Sequence, residues 1–216
     1  MEMKKLIIVV MFVLGCIGCE SKEKQYLNQI QWENCESLMI VAHPDDETIF
    51  AGAHLFDQNY LVVCLTNGNH PVRRQEFLNV MEKTGNQGLI FDYPDKTNGK
   101  RDSWITVKKA IADDIKAIIN QKDWKTIVTH NPDGEYGHIH HQMTSQIVTR
   151  LCQKKQLFYF GKYYSQKKLP SNLKTLSKED IQKKRELTQL YGSQKKVIEH
   201  LQHILIYENW MKAKDW

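Results

Sequence analysis

The chain has 216 residues, of which 41% are hydrophobic and 25% charged, with a net charge of +5. That length suits one domain with a sizeable core, and the balance excludes a disordered or coiled-coil chain. No nucleic-acid-binding motif accompanies the mild basic excess, so no nucleic-acid partner is expected.

Lys4 and Lys5 precede an apolar run from Leu6 to Gly18, and a polar stretch follows it. The run is shorter than the roughly 20 residues a spanning helix needs, and the order of segments is that of a secretory signal. Leu14-Gly15-Cys16 and Ile17-Gly18-Cys19 both resemble a bacterial lipobox. Residues 1–20 are therefore read as a signal peptide or a membrane or lipid anchor. This puts the rest on the extracytoplasmic face of a bacterial membrane, with a cytoplasm-facing anchor as the alternative. Which cysteine carries a lipid, or whether the signal is cleaved, stays open. Residues 21–36 read as a linker and 37–216 as the folded domain. Cys35, Cys64 and Cys152 have no metal spacing and imply no disulfide framework, and Cys64 lies in an apolar run as a buried thiol.

Apolar runs then alternate with helical periods. Leu38 to Ala42 predicts a strand, Thr48 to Phe56 a helix, Tyr60 to Thr66 a strand and Val72 to Lys83 a helix. Leu89 to Phe91 predicts a short strand. A helical period runs from Trp104 through Ile111 and Ile115 to Ile119. Trp124 to Thr129 and Leu157 to Phe160 predict further strands, a helix opens after His138, and a last helix runs through Leu187, Leu190, Val197, Leu201 and Ile204. This alternation predicts a single α/β domain, a mostly parallel sheet with helices on both faces. Leu151 to His200 carries twelve Lys or Arg against four Asp or Glu. That excess is either a solvated surface or an attraction to a membrane face or a phosphorylated substrate.

Ligands in open α/β sheets bind beyond the carboxyl ends of strands. His43 follows the first strand, Asn67 and His70 the second, and His130 a later one, so their chemistry converges on one edge. Ala42-His43-Pro44-Asp45-Asp46-Glu47 joins the first strand to its helix, and so many carboxylates are costly to desolvate without a cation. The second motif runs from His130 through Tyr136-Gly137-His138-Ile139-His140-His141. His138 and His141 are three apart and share a helical face, which leaves His140 pointing elsewhere. His43, Asp46 and His141 offer one metal an open nitrogen-and-oxygen site, and Asp45 stands beside them as a base.

These two motifs resemble those of the LmbE-like, or PIG-L, de-N-acetylases, whose motifs are A-H-P-D-D-E and G-H-x-D-H. The resemblance covers roughly Leu38 to Thr149, and the chain departs from it at His140, where Asp is common. It implies zinc ligation by His43, Asp46 and His141, with Fe2+ the other ion considered, and a general-base role for Asp45. It gives His138 the tetrahedral intermediate or the leaving amine, and Tyr136 the carbonyl. It gives Arg73, of the pair Arg73 and Glu76, and Asp95 the substrate. Glu47 is expected to be structural. The implied activity is removal of an acetyl group from an N-acetylglucosamine-type sugar in a glycolipid, glycoconjugate or surface glycan, at a membrane surface. The alternatives are a single-metal hydrolase of another ester or amide, or an inactive glycan-binding relative. The exact acceptor sugar, the native metal and the oligomeric state stay open.

Overall fold

Strand β1 (Ser37–Val41) and strand β2 (Tyr60–Thr66) are buried along their whole length. Strands that bury both faces need cover on each side, which a parallel sheet between helical layers provides. The computed structural model describes residues 27–152 and 156–216. Within Gln31–Trp216 the remaining strands are β3 (Gln87–Tyr93), the hairpin partners β4 (Lys96–Thr97) and β5 (Lys100–Arg101), β6 (Ile127–Thr129), β7 (Leu157–Tyr159) and β8 (Met211–Lys212). Six of them form one sheet in the order β3-β2-β1-β6-β7-β8. All neighbours are parallel except β7 and β8. The helices longer than four residues are α1 (Asp46–Ala51), α2 (Pro71–Thr84), α3 (Lys108–Ile119), α4 (Ile139–Leu151), α5 (Lys178–Gln189) and α6 (Lys195–Leu201), and Gly134–Gly137 form a single helical turn. The expected α/β architecture is thus present.

Period-two alternation divides the strand side chains between two layers. Met39, Val41, Val62, Cys64 and Val128 share one core with Ile49 of α1, Phe77 and Val80 of α2 and Leu187 of α5. Leu38, Ile40, Leu61 and Val63 point the other way, towards the buried stripe of α3 (Ile111, Ile115, Ile118, Ile119) and Ile147 and Val148 of α4. Each such side chain contributes roughly 1.5–3 kcal/mol when fully buried.

Several elements differ from the sequence reading. The expected helix from Thr48 to Phe56 is α1 followed by a 3-10 turn at His54–Phe56, and β6 begins at Ile127 rather than Trp124. The last helix is two, because a 3-10 turn at Gly192–Gln194 separates α5 from α6. The break is pinned by Glu76, whose carboxylate accepts the Ser193 N–H at 2.7 Å and its hydroxyl at 2.6 Å. Trp104 stands outside α3 with a left-handed φ of 53°. The basic stretch is not all surface: Lys184 is fully buried and pairs with Glu208 at 2.7 Å. The signal or anchor expected at residues 1–20 lies outside the described residues. Among the described residues no helix is long and apolar enough to cross a membrane. Of the expected linker, Trp32–Asn34 form a 3-10 turn and Cys35 is buried.

Chain order reverses at β1, with β2 and β3 on one side and β6 and β7 on the other. Such a switch point leaves a crevice beyond the strand ends. The loops after β1 and β6 both open into it.

Candidate metal centre

The loop after β1 is folded by its own carboxylates. Asp46 Oδ2 accepts the His43 backbone N–H at 2.8 Å, which turns the Asp46 carboxylate back towards the strand end. Asp45 takes a φ of 123°, a region L-residues rarely adopt. Strain of this kind gathers at functional sites, where the surroundings enforce it. Here the enforcement comes from Glu47, which is fully buried and accepts from Tyr191 Oη–H at 2.6 Å, Thr48 Oγ1–H at 2.7 Å and the Asp45 N–H at 3.2 Å. Glu47 is structural, as expected.

The loop after β6 turns on Gly134 and Gly137, both at positive φ, with Glu135 also at 56°. Asn131 and Glu135 clasp each other: the Asn131 N–H donates to Glu135 Oε1 at 3.0 Å, and the Glu135 N–H donates to Asn131 Oδ1 at 3.1 Å. Glu135 Oε2 then takes two imidazole N–H groups, His130 Nδ1 at 2.9 Å and His141 Nδ1 at 2.6 Å. Burial pushes the Glu135 carboxyl up, but His130 and His141 outweigh it and hold it at about 2. Burial lowers the His130 pKa, but Glu135 and Asp46 outweigh it and draw it up to about 9. Its Nδ1–H donates to Glu135, and its Nε2 faces both the Ala42 N–H at 3.0 Å and Asp46 Oδ2 at 3.3 Å.

The remaining proton directions follow by the same logic. His140 Nε2–H donates to the Asp102 carbonyl at 2.8 Å, so its Nδ1 is an acceptor. His43 Nε2–H donates to that Nδ1 at 3.1 Å, which leaves a lone pair on His43 Nδ1. Burial holds His43 neutral, down at about 4. His141 has spent its Nδ1–H on Glu135. His43 Nδ1, the Asp46 carboxylate and His141 Nε2 therefore face one another with mutual distances of 3.2, 3.2 and 3.3 Å. Three electron-pair donors so placed require one positive charge among them. Asp46 accordingly draws the His141 pKa up against the opposing effect of burial. A tetrahedral ion with bonds of about 2.0–2.1 Å has ligand atoms about 3.3 Å apart, so the donor set fits a zinc-like cation. Three overlapping groups, His43–His138–His141, His43–Asp95–His140 and Asp46–His130–His141, also bring ligand atoms within 4.8 Å of one another.

Around this point stand the other expected residues. Burial first, and then Asp46, raise the Asp45 carboxyl well above its ordinary range. Arg73 opposes this from 3.6 Å and also donates to the Pro44 carbonyl. Arg73 thus lies against the Asp45 loop, with Nε lacking a partner among the described residues. His138 caps α4, its Nδ1 accepting the His140 N–H at 3.2 Å, so its proton sits on Nε2. That buried Nε2 has no partner among the described residues, and burial with the neighbouring His141 and His43 keeps the ring neutral, down at about 2. The Tyr136 ring lies 5.6 Å from that of His141 and 6.2 Å from that of His138, and it is 43% exposed at the mouth. Asp95 Oδ1 lies 3.3 Å from His43 Nε2 and pairs with Arg101 of β5.

The model of the family described as PIG-L, GlcNAc-PI de-N-acetylase, matches residues 38–152. An uncharacterized protein of Acanthamoeba polyphaga mimivirus is 31% identical over 180 residues, covering 76% of this chain and 73% of its own. The chain belongs to the PIG-L family. Its fold is similar to the zinc-inhibited form of teicoplanin deacetylase, at a TM-score of 0.60 with 16% identity over 76% of this chain and 86% of that one. It is also similar to N,N'-diacetylchitobiose deacetylase from Pyrococcus horikoshii, at 0.59 with 16% identity over 85% and 81%. The PIG-L match contains both motifs and ends before β7, so β7, α5, α6 and β8 lie outside it. One reading of the motif is corrected: His140 does not point away but is fully buried against His43. His138 is the N-cap rather than a helical residue, so the three-residue spacing does not place it. Sequence reasoning also passes over Glu135, Asp102 and Arg101. A signal existed only for Glu135, a carboxylate within the second motif.

Proposed function

We propose that this protein is a metal-dependent N-deacetylase that hydrolyses the acetamide of an N-acetylglucosamine-type sugar. The observation that carries this reading is the convergence of His43 Nδ1, Asp46 and His141 Nε2 at mutual distances of 3.2–3.3 Å. They combine two neutral imidazole nitrogens with one carboxylate, the donor set that the motifs predict. An ion held there supplies Lewis acidity towards water and the amide carbonyl, and a nitrogen-and-oxygen donor set suits Zn2+ first and Fe2+ second.

The chain's own residues do the rest. Asp45, with its raised carboxyl pKa, accepts a proton from the attacking water. Arg73 holds the strained Asp45 loop in register, a positioning contribution. His138 Nε2–H is a preorganised donor without a partner among the described residues, suited to the oxygen on which charge develops. Tyr136 lies beside it at the mouth as a second donor. Because His138 is neutral and its Nδ1 is occupied by the α4 cap, its first role is donation to the oxyanion. Asp95, tied to Arg101 and 3.3 Å from His43 Nε2, is assigned to orienting the sugar. The neighbouring folds include a teicoplanin deacetylase and a diacetylchitobiose deacetylase, and the family description names an N-acetylglucosaminyl lipid, which supports a sugar acetamide.

The reading extends to place and context. Residues 1–20 act as a signal or lipid anchor, 21–36 as a linker and 37–216 as the catalytic domain, on the outer face of a bacterial membrane. The substrate is a glycolipid or surface glycan met there. The test is acetate release from a panel of N-acetylated glycans, with and without lipid or phosphate, alongside elemental analysis of protein purified without added metal. One equivalent of divalent metal and acetate from a sugar conjugate are expected. Release only from a non-sugar acetamide overturns the sugar assignment.

A further inference from the structure

His140 occupies the position where the family motif commonly has Asp, and the structure gives it a definite connection. Its ring is fully buried and stacks on Trp104 with centroids 4.2 Å apart and planes 4° apart. Trp104 is itself fully buried at a left-handed φ of 53°, which a bulky residue does not adopt without external cause. Its Nε1–H donates to the Pro94 carbonyl at 2.8 Å and its backbone N–H to Asp102 Oδ1 at 2.6 Å. These bonds fix the ring against His140 and bring the Asp102 carbonyl to within 2.8 Å of His140 Nε2. A carbonyl only accepts, so His140 Nδ1 must carry the lone pair. His43 Nε2–H donates to that lone pair at 3.1 Å. Asp95 Oδ1, 3.3 Å from the same nitrogen, is engaged by Arg101.

We propose that His140 is the positioning residue that sets the tautomer of His43: an uncharged relay from the Asp102 carbonyl through His140 to His43 Nε2–H, which leaves His43 Nδ1 free to bind the metal. The relay does with a neutral ring what a carboxylate would do with a charge, and the Trp104 stack keeps the ring in plane. Partners of this kind orient a ligating imidazole and fix which nitrogen binds, and their loss typically lowers metal affinity about 10–100-fold. The proposal rests on the metal reading above.

The test compares His140→Asn, which keeps an acceptor near the Nδ1 position, with His140→Leu, which fills the space without one. Zn2+ affinity is measured by competition with a chromophoric chelator, and the His43 tautomer of the metal-free chain by 15N NMR. The Leu variant should lose at least about tenfold in Zn2+ affinity and show a mixed His43 tautomer, while the Asn variant keeps the Nε2–H form and most of the affinity. Repeating the Leu variant in an Asp95→Asn background should enlarge its loss, since the second acceptor is weakened too. If His140→Leu binds Zn2+ as tightly as the native chain and keeps the Nε2–H tautomer in both backgrounds, the proposal is overturned. A native chain that binds no Zn2+ overturns the metal reading, and this inference with it. If the Leu variant fails to fold, His140→Val, which also lacks an acceptor, takes its place in both measurements.

Discussion

Replacing Asp45 with Asn changes one atom and separates catalysis from stability. The residue is 5% exposed with a φ of 123°, and Asn is nearly isosteric, so the loop is retained. What is lost is a proton acceptor beside the proposed metal ligands. General-base catalysis is worth roughly 10²–10⁴-fold, about 2.7–5.4 kcal/mol of barrier. The stability effect has the opposite sign. Burial and Asp46 raise the Asp45 pKa in the folded state, so the folded chain holds that proton more tightly than the unfolded one. The stability lost to ionised Asp45 therefore grows as pH rises from about 4 through the raised value. Measured on metal-free protein, Asp45→Asn should be more stable than the native chain at pH 8, with the gap closing towards pH 4. Urea unfolding at both pH values and acetate release by the metal-loaded variant give the two readouts. Near-native turnover would refute the base assignment, and a destabilised variant at pH 8 would refute the electrostatic reasoning.

Tyr136→Phe should lower kcat by roughly 10²-fold with metal content unchanged, because one donor to the developing oxyanion is removed; elemental analysis and initial rates check it. The buried pair of Lys184 and Glu208 should be asymmetric. Glu208 also accepts from His54 Nδ1 at 2.6 Å and the Ala53 N–H at 2.9 Å, whereas Lys184 has beyond it, among the described residues, the Tyr207 carbonyl at 3.5 Å. Glu208→Gln should thus cost about 3–5 kcal/mol in urea unfolding by stranding the lysine, and Lys184→Met distinctly less; equal losses would contradict this. Protease added to intact cells should remove the enzyme if residues 1–20 carry it to the outer face, and protection would place the domain on the cytoplasmic side.

Local chemistry makes much of this fold legible. β2 matches its expected span from Tyr60 to Thr66, and β1 differs from its reading by one residue at each end, because long apolar runs leave few alternatives. The two motifs, each following a strand, suffice to bring His43, Asp46 and His141 to one edge of the sheet. What is not legible is tertiary in origin. Trp104 fits the helical period of α3 but is drawn out of it by bonds to Pro94 and Asp102. The break before α6 depends on Glu76, over a hundred positions earlier in the chain. The spacing misplaces His140 because the period that sets helical faces begins only at Ile139, after the His138 cap. The antiparallel strand β8 is two residues long, too short to carry a period.

Metal-dependent hydrolysis of a sugar acetamide at the His43, Asp46 and His141 cluster is tested most directly by acetate and free-amine release from N-acetylglucosamine conjugates by the chain stripped of metal and then reloaded with one equivalent of Zn2+. The stripped chain should be inactive, and reloading should restore equal amounts of acetate and amine. Full turnover by the stripped chain would rule out metal dependence.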